Sequence, residues 1–291
     1  MTLPKHKEET LAEIVEHLKV TENIEAIVLG GSHAIGKATA TSDLDIGIYY
    51  YDEKPFKIED IRSIAKKYAI TEPTVTGFYE WGRWVNGGAW IETAAGKIDL
   101  LYKNIDQIKS TTELAKNGHW ENDFEQQPPY GFSSIIYLGE TQACVPLYDP
   151  NEIISKMKTE IQPYPSKLKE NVIQYSLWPA QFTIWHADYF YAKNDIYNLS
   201  GCLTRAAKNI VTALFAINEL YPLGDKRAIE ILEDASTCPP KLKERIETIV
   251  CINRDDIRKS VETLKGLFAE TTKLANGVYQ PFYKLPGHQN G

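Results

Sequence analysis

The chain has 291 residues, of which 43% are hydrophobic and 24% charged, and its 39 acidic against 32 basic residues give a formal net charge of −7. These values are typical of a globular protein long enough for two domains, and the acidic total without a basic stripe argues against nucleic acid as a partner. No apolar run approaches the roughly 20 residues of a membrane span and no signal-peptide core is seen, so we expect a cytoplasmic protein without a membrane partner.

The chain begins with a predicted helix followed by two predicted strands. Apolar residues recur at helical spacing over 7–20, with acidic residues between them. The apolar run 24–29 and the β-branched and aromatic run 44–51 are typical of strands. The segment between these strands starts with two glycines and a serine. The first part of the chain therefore predicts a strand, a glycine-serine turn and a second strand.

This turn and the second strand combine residue types that bind phosphate and metal. Asp43 and Asp45 alternate along an extended segment, so they project to the same side with Cα atoms roughly 6.5 Å apart. Two carboxylates so placed can hold one or two divalent metal ions. Gly30, Gly31 and Ser32 carry little bulk, so backbone N–H groups and a hydroxyl can approach phosphate oxygens closely. The stretch predicts a site for a metal-bound nucleoside triphosphate.

Two other interpretations fit this stretch less well. A solvated edge strand would continue with polar residues on the side of the two carboxylates, but Gly47 and Tyr49 follow there. A phosphate-binding P-loop matches the opening over 31–37, but it needs Ser or Thr next, where this chain has Ala38. A P-loop must also open a long helix, and a strand-like run follows here instead.

Further strands and a helix complete the first half. The pattern predicts a helix over 58–68 and strands over 74–84, 89–93 and 97–102. The last of these carries Asp99 between apolar neighbours. Asp99 is thus a candidate for a third metal-binding carboxylate.

Two glutamates are candidates for a base that acts on an acceptor hydroxyl, Glu80 and Glu92. A two-residue turn at 95–96 would pair Glu92 with Asp99 on one face, whereas a three-residue turn would pair Ile91 with Asp99 and send Glu92 away. The sequence does not choose between these registers. A solvated strand face explains either glutamate equally well.

The second half is predicted to be helical, with a domain boundary that gives domains 1–155 and 156–291. Arg205 and Lys208 lie about one turn apart in one of its helices, and Lys226 opens the next. Solvated charges are the ordinary interpretation of these three, and contact with the acceptor is the alternative. Helical periods cover 152–158, 166–192 with an interruption at Pro179, 195–221, 225–234, 239–251 and 255–275.

The motif resembles the signature of the nucleotidyltransferase superfamily related to DNA polymerase β. Gly31-Ser32 is followed by a ten-residue spacer and then by Asp43-Leu44-Asp45-Ile46, and Asp99 matches the later third carboxylate. A core followed by helices also resembles the aminoglycoside and lincosamide nucleotidyltransferases and their uncharacterised relatives. The resemblance implies an α+β fold, with an N-terminal nucleotidyltransferase core of mixed sheet and helices followed by an all-α bundle that binds the substrate.

The resemblance also implies an activity. It is the transfer of a nucleoside monophosphate, AMP from ATP or another NTP, to a hydroxyl of a small-molecule acceptor, with release of pyrophosphate. The three aspartates would hold two Mg²⁺ ions, and residues 30–32 would position the phosphates. One alternative is an antitoxin-like enzyme that transfers AMP to a protein. Another is an inactive nucleotide-binding regulator, against which the intact set of aspartates argues. The acceptor, any role in antibiotic resistance and the oligomeric state are not determined by the sequence.

Overall fold

The computed structural model describes residues 3–224 and 226–285. The chain divides into two compact units, the first comprising Met1–Leu114 and Trp120–Pro163 and the second Ala115–His119 and Tyr164–Gly291. The first unit contains a mixed sheet with helices, and the second is helical. The expected α+β fold class is therefore confirmed.

The first unit is built on a six-stranded sheet. Its strands are β1 (Ala26–Leu29), β2 (Leu44–Tyr50), β3 (Thr74–Val75), β4 (Gly88–Thr93), β5 (Gly96–Asn104) and, after the short pair β6 (Asn122–Asp123) and β7 (Phe132–Ser133), β8 (Val145–Tyr148). The spatial order is β3-β4-β5-β2-β1-β8, and β6 pairs with β7 separately. Strands β2 and β5 run parallel, and the other neighbouring pairs of the large sheet run antiparallel. The parallel pair lies at the centre of the sheet.

Helices cover both faces of this sheet. Up to residue 163 they are α1 (Lys5–Lys19), α2 (Gly31–Ala34), α3 (Ile58–Tyr68), α4 (Ile105–Lys116), α5 (Ile135–Ala143) and α6 (Ile153–Glu160). Apolar residues of α1 and α3 bury one face of β2 and β5, which includes Ile46 and Leu100. The other face supplies Val28 and Tyr49 to a second core with residues of α4, α5 and α6. This alternation fixes which strand residues face which side.

Two regions of the first unit differ from the sequence-based expectation. The strand expected over 74–84 ends at Val75, because Tyr79 and Gly82 adopt positive φ values of 59° and 103° and turn the chain. Residues 135–148, for which no element was predicted, form α5 and β8. Strand β8 extends the sheet by pairing with β1.

The second unit consists of packed helices. They are α7 (Ser166–Ala192), α8 (Ile196–Ile217), α9 (Ala228–Glu233), α10 (Leu242–Val250) and α11 (Ile257–Leu274). The helix predicted over 166–192 has those bounds, but α7 continues through Pro179 without the expected interruption, and the following Ala180 and Ile184 pack in the core of this unit. Residue 225, where a helix was expected to begin, lies outside the described residues. None of the described helices is long and apolar enough to cross a membrane.

Candidate active site

Strand pairing brings the three predicted aspartates to one end of the sheet. In the parallel register of β2 and β5, Asp45 is the partner of Asp99, and Leu44 is the partner of Ile98. Leu44 and Ile98 are buried in the core on one face, so Asp45 and Asp99 lie on the other. Asp43 precedes β2 by one residue and alternates to the same side as Asp45. Three carboxylates thus meet beside the glycine turn.

A lysine lies among these carboxylates. The Nζ atom of Lys97 is 3.4 Å from Oδ2 of Asp43 and 3.4 Å from Oδ1 of Asp99. Lys97 stands two residues before Asp99 in β5, so both side chains project from the same face. No role for Lys97 was predicted from the sequence. Its position depends on the pairing of β2 with β5, which joins segments more than fifty residues apart.

The side chain of Asp99 is more buried than that of Asp43, at 14% exposure against 43%. Burial raises the pKa of Asp99 above its ordinary value, and the charges of Asp43 and Glu92 add to this, while Lys97 opposes it. Oδ1 of Asp99 is buried and accepts no hydrogen bond from the part of the chain that the structure describes, although Lys97 is near. Such an oxygen suits a cationic ligand.

The glycine turn packs directly against Asp45. The N–H of Gly30 donates to the backbone oxygen of Asp45 at 2.8 Å. Gly31 has a φ of +56°, and a Cβ atom at this position would lie 1.8 Å from Oδ2 of Asp45. Only glycine therefore leaves room for the carboxylate. Ser32 follows in α2, half-buried.

A buried lysine holds the segment that leads into Asp43. Lys7 of α1 is 5% exposed, and its Nζ donates to the backbone oxygen of Ser42 at 2.6 Å and to that of Ala40 at 3.5 Å. The aliphatic part of this side chain packs near Gly96 at the start of β5. Lys7 thus connects α1 to the loop next to the carboxylates, which the sequence did not indicate.

The hairpin between β4 and β5 resolves the question of register, and neither expected register is right. Glu92 pairs with Lys97 and Trp90 with Asp99, because the two-residue turn lies at Ala94-Ala95 rather than at 95–96. Residues that pair directly share a face, so Glu92 lies on the face of Asp99 and next to Lys97. Glu92 is exposed there.

Glu80 has a different environment. Its Oε1 accepts a hydrogen bond from the N–H of Gly77 at 2.8 Å, within its own loop. Its charge raises the pKa of Tyr102, for which burial is the larger cause. Tyr102 belongs to the core on the face opposite the aspartates. Of the two candidate bases, the structure therefore brings Glu92 and not Glu80 to the carboxylate face.

An aromatic pair lies on the strand next to the carboxylates. Trp90, the partner of Asp99 in β4, stacks on Trp81 with ring centroids 4.5 Å apart and an interplanar angle of 24°. Trp81 is 45% exposed. The sequence analysis used these two residues only as strand signals.

The basic candidates belong to the second unit. Arg205 and Lys208 lie on α8, the first exposed and the second half-buried, and Lys226 is exposed just before α9. Arg205 and Lys208 adjoin the core positions Ala206 and Ala207 in sequence but are themselves less buried. Their placement is that of surface charges on this unit.

Carboxylate oxygens are the ligands that Mg²⁺ prefers, and the unbonded buried oxygen of Asp99 fits such an ion. Across residues 3–224 and 226–285, however, no three His, Cys, Asp or Glu side chains are already gathered closely enough to hold a metal ion. The cation nearest to Asp43 and Asp99 is the ammonium of Lys97. The carboxylate oxygens therefore suit a divalent metal, but in this structure Asp43 and Asp99 face the ammonium of Lys97.

A known family model matches the part of the chain that forms this site. Residues 8–113 match the family model of the nucleotidyltransferase domain. This segment contains the glycine turn, the three aspartates, Lys97 and Glu92, and spans about a third of the chain. The match supports the nucleotidyltransferase superfamily and, in general terms, a nucleotidyltransferase that transfers a nucleoside monophosphate. The aminoglycoside or lincosamide type is not confirmed by it.

One solved structure that resembles the chain is a nucleotidyltransferase-like protein from Exiguobacterium sibiricum 255-15. The two share 8% sequence identity with a TM-score of 0.44, over 93% of this chain and 74% of the other. Among curated proteins, no match was found. The assignment to the nucleotidyltransferase superfamily therefore depends on the matched domain.

Proposed function

We propose that this protein transfers a nucleoside monophosphate, AMP from ATP, to a hydroxyl of a small molecule in a metal-dependent reaction that releases pyrophosphate. One observation carries the proposal. Asp45 and Asp99 are partners on adjacent parallel strands, with Asp43 beside them and Gly31 against Asp45, all within the matched nucleotidyltransferase domain.

The three aspartates are the residues that would hold two Mg²⁺ ions. Bound there, the metal would neutralise triphosphate charge and lower the pKa of the acceptor hydroxyl. The protein supports this with a rigid framework: the sheet sets the spacing of Asp45 and Asp99, and Lys7 holds the segment before Asp43. Gly30, Gly31 and Ser32 would orient the β and γ phosphates through backbone N–H groups and a hydroxyl.

The reaction exchanges one phosphorus–oxygen bond for another. The acceptor oxygen bonds to the α phosphorus, the bond from that phosphorus to the bridging oxygen breaks, and pyrophosphate leaves. The proton of the hydroxyl passes to a base, and Glu92 is the candidate whose carboxylate lies exposed on the face of Asp99. In-line geometry requires the acceptor on the side of the α phosphorus opposite the leaving group.

Acceptor selectivity is proposed for the helical second unit, with Arg205, Lys208 and Lys226 as candidates for acceptor contacts. The excess of acidic residues suits a neutral or cationic acceptor, and an anionic one would be repelled unless Arg205, Lys208 or Lys226 faced it. The proposal includes a small-molecule acceptor and no nucleic acid.

Incubation with α-labelled ATP and Mg²⁺ tests the proposal. The protein is mixed with the small-molecule fraction of a cell lysate and, separately, with its protein fraction. Label in a new small molecule, absent with Asp45→Asn, is the expected result. Label in protein instead would indicate a protein-modifying enzyme. No transfer from any of the four NTPs, although nucleotide binds, would contradict the proposal and indicate a regulator.

A further inference from the structure

We propose that Lys97 is a resident counter-cation of the carboxylate cluster, which a divalent metal must displace, so that Lys97 sets the metal affinity of the site. The inference rests on the proposed metal-dependent function. It assigns a role to a residue that touches the metal-binding carboxylates without being able to bind metal itself.

The geometry shows an ammonium shared between two carboxylates. Both contacts of Lys97, with Asp43 and with Asp99, are 3.4 Å long. Strong charge-assisted N–H···O bonds are about 2.7–2.9 Å. On the same strand, Lys103 makes such a short contact with Glu140, at 2.6 Å. The ammonium of Lys97 is therefore placed between its partners instead of being bound tightly to one.

Four carboxylates lie around Lys97. Lys97 has Asp43 and Asp99 as contacts, Glu92 as its cross-strand partner, and Asp45 next to Asp99 in the adjoining strand. Like charges at short range repel, and the repulsion is greatest where burial reduces screening. A cation among these groups lowers that repulsion, so the carboxylates can stand together before a metal arrives.

A metal held by Asp43 and Asp99 would use oxygens that the ammonium now faces. Two cations cannot share those oxygens without strong repulsion, so Lys97 has to move when metal binds. Its side chain is 37% exposed and flexible, so it can turn its ammonium into solvent. A free metal ion must overcome this displacement alone. A metal-triphosphate complex also gains phosphate contacts at the glycine turn, and these offset the cost of displacing Lys97. The site therefore binds the complex in preference to the free ion.

The test is Mn²⁺ binding to the metal-free, nucleotide-free protein. Binding is measured by calorimetry and by the electron paramagnetic resonance signal of free Mn²⁺. Lys97→Met is expected to bind Mn²⁺ at least tenfold more tightly than the wild type. Lys103→Met is the matched control, because it removes the same charge from the same strand and face, and its affinity should stay within twofold. Lys97→Arg keeps the charge and should also stay near the wild type.

Thermal melting provides a second measurement. Metal-free Lys97→Met should melt below the wild type, and Mn²⁺ should raise its melting temperature by more than it raises that of the wild type. If Lys97→Met does not fold without metal, Lys97→Gln is measured in its place. Equal or weaker Mn²⁺ binding by the uncharged variants, with Asp99→Asn still losing affinity, would overturn the role of Lys97 alone. Mn²⁺ binding that is unchanged in Asp99→Asn would instead contradict the proposed metal site.

Discussion

Two lysines of β5, Lys97 and Lys103, face the same side of the sheet and have contrasting surroundings. Lys103 pairs one-to-one with Glu140 of α5 at 2.6 Å, and its ammonium lies 5.6 Å from the ring centroid of Tyr137. Lys97 lies 3.4 Å from each of two carboxylates. At one end of the strand the lysine thus contacts one carboxylate, and at the other end it lies between two.

The two lysines lie in different parts of the same face of β5. Around Lys103 the same face continues into a buried aromatic core that includes Tyr49 and Tyr137. Around Lys97 it continues to Gly31 and to Glu92, both exposed. A balanced pair in a packed environment holds α5 to the sheet. The carboxylates around Lys97 are the ones that the proposed function assigns to a metal-bound nucleotide.

The largest expected effect is on catalysis by Asp45→Asn. An amide cannot replace a metal-binding carboxylate, so transfer should fall at least about 10²-fold, the scale of losing one preorganised charge-stabilising group, with the fold intact. Asp43→Asn and Asp99→Asn should act alike. Asp52→Asn, just beyond the other end of β2, is the control and should retain most activity. Initial rates with circular dichroism check this, and near wild-type rates in Asp45→Asn would refute the assignment.

Gly31→Ala should reduce transfer and metal-nucleotide affinity by about tenfold. The added Cβ would overlap Oδ2 of Asp45, which must then move. Gly36→Ala is the matched control, since Gly36 also has a positive φ, +69°, but a Cβ there would meet nothing within 4 Å. Titration with a non-hydrolysable ATP analogue and Mg²⁺ measures the affinity. Equal losses in both variants would assign the effect to backbone strain.

Lys7→Met should loosen the loop before Asp43. The variant loses a buried charge-assisted hydrogen bond to Ser42, worth about 1.5–3 kcal/mol, and activity should fall several-fold. Urea unfolding gives the stability, and hydrogen exchange reports on residues 40–43. Lys5→Met, an exposed change in the same helix, should alter neither. Exchange at 40–43 that does not change would show that Lys7 has no role in positioning this loop.

The smallest effect concerns Asp99 without metal. Its pKa is raised in the folded state, so its contribution to stability is full below the unfolded value of about 3.9 and is lost as pH rises through the folded value. Asn does not ionise, so Asp99→Asn removes the loss of stability that ionisation of Asp99 causes. The metal-free variant should melt higher than the wild type at pH 7, and the difference should vanish as pH falls below about 4. A lower melting temperature at pH 7 would contradict the sign.

Local patterns were enough to predict the elements that carry the candidate site. The helix expected over 58–68 has those bounds in the structure, and the second strand ends within one residue of the expected position. The common face of Asp43 and Asp45 follows from the two-residue repeat of a strand, which is a local property. The predicted chemical roles of these residues stay predictions.

What the sequence did not reveal depends on distant pairing or on packing. Lys97 reaches Asp43 only because β2 and β5 pair in one register, and Lys7 reaches Ser42 only because α1 packs beside that loop. Neither of the two hairpin registers left open is right, because the turn is two residues long and lies at Ala94-Ala95. Pro179 was expected to break a helix that tertiary packing maintains.

Transfer from two separately labelled forms of ATP tests the central claim most directly. The protein is incubated with Mg²⁺, the acceptor identified by screening, and ATP labelled at the α or at the γ phosphate. The account predicts that α label enters the acceptor, that γ label appears only in pyrophosphate, and that Asp45→Asn abolishes both. Entry of γ label into the acceptor, or unchanged transfer by Asp45→Asn, would contradict nucleotidyl transfer at these carboxylates.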